Sequence, residues 1–137
     1  MSVLLLDATV WLASRDVGDR HHAVSAELVA SAARSEVTGA ALDLTLYEVA
    51  NVAVRRWRDV QQARATAAII RAACAERLVR VDRELLDRLV GLSDEHGLSA
   101  YDAAYVACAQ LHGWTLVSLD ELDLVGPGHA VAPAAVL

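Results

Sequence analysis

A chain of 137 residues, 55% of them hydrophobic, is long enough to bury one core, and its composition is not that of a disordered protein. A formal charge of −6 excludes a protein that coats nucleic acid through net basicity. All 12 basic residues are arginine, and the lack of lysine removes P-loop, Schiff-base and lysine-assisted phospho-aspartate chemistry.

The opening "MSVLLLDATVWLA" has no basic leader and is interrupted by Asp7, so it does not read as a signal peptide. Its "SVLLL" (Ser2 to Leu6) has the continuous apolar pattern of a strand buried on both faces. A helix is expected from about Thr9, and another from His21 or His22 to Arg34. "EVTGAAL" (Glu36 to Leu42) reads as a second strand. Leu44 to Trp57 and Val60 to Ala75 read as helices, with Asp59 as the N-cap between them. "RLVRV" (Arg77 to Val81) is a third strand candidate, followed by helices over Arg83 to Glu95 and Ala100 to Leu111. Each of these two helices is followed by His-Gly, a C-terminal signature. "TLVSL" (Thr115 to Leu119) is the late strand, and "HAVAPAAV" a possible last edge strand.

Strands alternating with helices predict an α/β fold in one domain over 1–137, a central parallel sheet of four or five strands with helices on both sides. No apolar run approaches the roughly 20 residues of a membrane span. Cys74 and Cys108 lie far apart in apolar helical patterns and read as buried free thiols, which fits a cytoplasmic protein.

Four carboxylates occupy unusual places. Asp7 ends the first strand and Asp120 follows the late one, where open parallel sheets gather ligands. Glu48 and Asp102 each lie one turn into a helix expected to start at that same rim. Taken singly, each has an ordinary explanation: Asp7 and Asp120 as N-caps, Glu48 as a first-turn acid, Asp102 as the acid of a capping box begun by Ser99. Taken together they repel one another unless a cation sits among them. Asp102 is also placed on one helix face with Leu98, Tyr101, Tyr105 and Val106, where a solvent-facing cap acid does not belong. Oxygen ligands without His or Cys favour Mg²⁺ or Mn²⁺, the cations of phosphodiester hydrolysis.

With those residues in view, the chain resembles the PIN-domain family over nearly its whole length, and within it the small VapC-type ribonuclease toxins of type II toxin–antitoxin pairs. "LLLDATVWL" resembles the opening strand with the first acid, Asp7, and a nearby hydroxyl, Thr9. "LTLYEVANVAVRR" resembles the segment of the second acid, Glu48, and "LSAYDAAYVACAQ" that of the third, Asp102. "TLVSLDEL" resembles the last motif, with Ser118 and then Asp120, although Glu121 and Asp123 stand close enough to compete for the fourth role. The resemblance implies a PIN-like three-layer fold and an endoribonuclease dependent on Mg²⁺ or Mn²⁺. In it Asp7 and Asp102 hold the first ion, and Glu48 and Asp120 complete the shell directly or through water. It further implies a cognate VapB-like antitoxin and a homodimer.

Nine of the 12 arginines fall between residues 55 and 88. Arg55, Arg56 and Arg58, with Trp57 among them, are candidates for contacting RNA phosphate and a stacked base, or else form a solvated helix face. Trp11, Leu12 and the Leu44–Val54 helix are candidates for an apolar groove that takes the antitoxin, or else pack in the core. Two other readings stand beside the nuclease. A catalytically inactive PIN-like interaction module would keep the acids only as caps. A phospho-aspartate protein is set aside for want of a lysine.

Overall fold

In a computed structural model, which describes residues 2–137, the first apolar run forms strand β1 (Val3–Leu6). Its side chains alternate between two hydrophobic cores: Leu5 joins one, Leu4 and Leu6 the other. Strand β2 (Thr38–Leu42) repeats the pattern, with Ala40 and Leu42 on the Leu5 side and Ala41 opposite. Both faces of the sheet are therefore covered. Strands β3 (Leu78–Val79) and β4 (Thr115–Val117) complete a parallel sheet of order β3-β2-β1-β4. In register, β1 pairs Leu4 with Gly39 on one side and Leu5 with Leu116 on the other.

The core on the Leu5 side is closed by helices α5 (Arg83–His96) and α6 (Ala100–His112), which supply Leu85, Leu89 and Tyr105. The opposite core is closed by α1 (Ala8–Ala13), α2 (His22–Ala33), α3 (Leu44–Arg55) and α4 (Val60–Cys74). The three-layer expectation holds. Local chemistry sets the helix ends where the sequence placed them: Asp59 accepts from Gln62 N at 3.0 Å, and Gly97 and Gly113 end α5 and α6 at φ of 67° and 66°.

Two expectations need correction. The tail does not form a fifth strand: it makes a single parallel bridge, Val117 to Val131, and then one turn at Pro133–Ala135. Pro133 cannot donate a ladder hydrogen bond, so pairing stops before it. Tyr101 is 61% exposed and leaves the apolar face of α6, because at the helix start no neighbouring element covers it. Of the two uses open to Trp11, the structure takes the core one: the ring is fully buried and gives its indole N–H to Leu6 O at 3.2 Å. Cys74 and Cys108 are buried and unpaired, with burial pushing both thiols up to about 12. Among the described residues no helix is long and apolar enough to cross a membrane.

Candidate active site

Parallel strands point their carboxyl ends toward one rim, and the acids collect there. Asp7 follows β1, its backbone N–H bonded to Val117 O at 3.1 Å. Its side chain caps α1, accepting from Thr9 N at 3.0 Å and from the Thr9 hydroxyl. That hydroxyl in turn accepts from Leu119 N at 3.0 Å, and the Ser118 hydroxyl lies close enough to Asp7 to lower its pKa. The two hydroxyl residues singled out in the sequence thus stitch the first strand to the segment after the last. Asp7 is only 3% exposed, and burial raises its carboxyl to about 6 against the lowering effect of these hydrogen bonds.

Asp102 stands in the first turn of α6, its backbone N–H capped by Ser99 Oγ at 3.1 Å. Asp120 opens a short helical turn over Glu121–Val125, accepting from Asp123 N at 3.0 Å, while Ser118 Oγ accepts from Asp120 N. The turn is closed by Gly126 N to Glu121 O at 2.8 Å. Only glycine fits that closure, because a Cβ on residue 126 would stand 2.6 Å from Glu121 O. The result swings Asp123 round to Asp102. Oxygens of Asp102, Asp120 and Asp123 all lie within 4.8 Å of one another. Burial raises the pKa of Asp102, and the charges of Asp120 and Asp123 raise it further.

Glu48, in the second turn of α3, is raised by burial and then by the Asp102 charge. It is held by the hydroxyl of Tyr105, which donates to Glu48 Oε1 at 2.6 Å. The same hydroxyl stands 2.7 Å from Thr45 Oγ1. Its own pKa is driven well above the usual range by burial and by the charges of Glu48 and Asp7. The tight trio is Asp102, Asp120 and Asp123, and Glu48 feels the charge of Asp102. Asp7 stands apart from the trio and meets Glu48 only through their shared influence on Tyr105.

Sequence reasoning placed Asp123 only as a rival of Asp120 and missed the parts of Tyr105 and Thr45 altogether. The available signal was spacing: Tyr105 is three residues after Asp102, and Thr45 three before Glu48. On the Asp120 side of the site lies a cavity of about 400 Å³, lined by that acid alone of the five and by Thr9, Leu12, Arg56, Trp57 and Leu119 among others. Arg56 and Trp57 thus border the site, whereas Arg55 and Arg58 are exposed and line no part of this cavity.

Do these residues suit a cation? The donors are all oxygen and close enough to share one ion. Among the described residues, ion pairs form only at Arg34–Glu36, Arg77–Glu76 and His96–Glu95, so no basic side chain pairs with the trio. The set fits a hard divalent cation.

A doubly covered parallel sheet with an oxygen-only acid cluster at its carboxyl rim defines the class: an α/β domain with an acidic site. The PIN domain profile matches residues 4–122, and the chain belongs to the PIN-domain family. Among solved structures it is similar to a toxin–antitoxin complex from Klebsiella pneumoniae, with a TM-score of 0.68, 21% identity and coverage of 95% of this chain and 97% of that one. It is also similar to VapC20 of Mycobacterium tuberculosis, named as a sarcin–ricin loop cleaving toxin. There the TM-score is 0.73, the identity 20%, and the coverage 91% of this chain and 95% of that one. FitAcB from Neisseria gonorrhoeae gives a TM-score of 0.67 at 16% identity, covering 96% of this chain and 98% of that one. No curated protein matches the sequence.

Proposed function

We propose that this PIN domain is a Mg²⁺- or Mn²⁺-dependent endoribonuclease, the toxin of a type II toxin–antitoxin pair, which cleaves RNA in the cytoplasm and so arrests translation and growth. The observation that carries this reading is the Asp102, Asp120 and Asp123 trio, mutually within 4.8 Å and, among the described residues, unpaired with any basic side chain. Asp102 and Asp120 hold the cation with Asp123, while Glu48 and Asp7 complete or support the shell. A bound divalent cation would supply charge neutralisation at the phosphate and a water acidified toward neutral pH. Arg56 approaches the phosphate backbone and Trp57 offers a stacking face beside Asp120, with Arg55 and Arg58 adding long-range attraction for RNA. The toxin assigned to the sarcin–ricin loop among the similar structures supports RNA as substrate. The similarity to the toxin–antitoxin complex from Klebsiella pneumoniae supports an antitoxin partner, and the family resemblance supports a VapB-like one and a homodimer.

The test is induction of the protein followed by mapping of new 5′ ends in total RNA, with Asp102→Asn as the control. Discrete cleavage and growth arrest are expected from the wild type and neither from a folded Asp102→Asn. Full activity in that variant would sink the assignment. A second reading is favoured by one observation: Asp7 and Asp120 are both geometrically correct N-caps, as in an inactive interaction module. That module would bind no Mn²⁺ in a titration, whereas the nuclease would.

A further inference from the structure

Glu48 and Asp102 stand on helices that pack chiefly on other partners, α3 on α4 and α6 on α5. What joins the two helices beside these carboxylates is one buried hydroxyl, that of Tyr105. Tyr105 Oη donates to Glu48 Oε1 at 2.6 Å, which spends its single proton, so Thr45 Oγ1, 2.7 Å away, must be the donor to Tyr105. Tyr105 is 2% exposed and Thr45 fully buried, so solvent has no room to replace either bond. The spacing is the same on both helices. Thr45 and Glu48 are one turn apart on α3, and Asp102 and Tyr105 one turn apart on α6. The chain Thr45–Tyr105–Glu48 therefore joins the two helix faces that carry the acids.

Building on the cation-dependent reading above, we propose that Tyr105 is a positioning residue: its hydroxyl cross-links α3 to α6 and fixes Glu48 beside Asp102 for cation binding. One oxygen of Glu48 accepts this bond, which restrains the carboxylate and leaves its other oxygen without this partner. Thr45 holds the hydroxyl in the rotation that serves Glu48. A ring that merely filled the core would need no hydroxyl, and phenylalanine would serve as well.

Mn²⁺ titration calorimetry on wild type, Tyr105→Phe, Glu48→Gln and the double variant separates the two roles. Tyr105→Phe is expected to weaken Mn²⁺ binding about tenfold, the scale of losing a partner that orients a ligand. Because it acts through Glu48, the double variant should bind no more weakly than Glu48→Gln alone. Thr45→Val should weaken binding about threefold in the same direction, and it decides alone if Tyr105→Phe does not fold. Mn²⁺ binding by Tyr105→Phe equal to wild type, or losses that add fully in the double variant, would overturn the positioning role. A wild type that binds no Mn²⁺ would instead overturn the function proposed above.

Discussion

Four aspartates in this chain do the same local job in two different settings. Asp59 and Asp82 cap α4 and α5, accepting from Gln62 N at 3.0 Å and Leu85 N at 2.9 Å, and both face solvent. Asp7 and Asp120 cap α1 and the Glu121–Val125 turn in the same way, but at the carboxyl rim of the sheet among other acids. Capping explains why aspartate suits all four positions. It does not explain why two of them are placed where their charges are buried or crowded. A cap and a cation ligand are therefore compatible uses of one carboxylate, with the hydrogen bond fixing the geometry and the charge available for chemistry.

The comparison can be broken by separating oxygen from charge. Asparagine keeps a capping oxygen and loses the charge. Asp7→Asn is expected to lower RNA cleavage by about a hundredfold or more, the scale of losing preorganised electrostatic stabilisation, in a fluorogenic RNA assay. The same variant should be more stable than wild type once metal is removed. Folded Asp7 titrates at about 6 against an ordinary value of 3.8, so the folded chain holds the proton more tightly than the unfolded one. Its ionisation costs stability that is intact below pH 4 and is lost as pH rises through 6. The difference between Asp7→Asn and wild type, from urea unfolding in EDTA, should thus grow to about 3 kcal/mol by pH 7.5. Saturating Mn²⁺ should shrink it.

Gly126→Ala tests whether the second rim cap depends on its turn. The 2.6 Å approach to Glu121 O predicts a loss of about 2 kcal/mol in urea unfolding, with weaker Mn²⁺ binding as Asp123 is displaced. The smallest effect belongs to the solvent-facing pair. Asp82→Ala should lower stability by about 1 kcal/mol and leave cleavage unchanged. A loss of cleavage there would erase the distinction between the two settings.

What the sequence made legible was local. The buried strand, the Asp59 cap and the His-Gly helix ends depend on neighbours within four residues, and all three stand as expected. The rim position of the acids followed from strand polarity. Tyr101 was misplaced because periodicity reports a helix face and not which turn of that face is covered. The Tyr105–Glu48 bond was invisible for another reason: its partners are 57 residues apart, and tyrosine in an apolar stripe reads as core whether or not its hydroxyl is used. Asp123 joined Asp102 only through a turn with a single sterically permitted glycine, which composition alone does not reveal.

The stitching of β1 to the segment after β4 has a consequence for synthesis. Asp7 is translated early, yet its N–H acceptor, Val117 O, and the Leu119 amide that engages Thr9 are made more than a hundred residues later. Asp120 and Asp123 arrive later still. A growing chain on the ribosome therefore carries the first acid without its companions, and the rim closes only when the final strand docks beside the first. A chain interrupted before Thr115 holds no trio. The fold itself delays completion of this acid rim until the segment after β4 has been made.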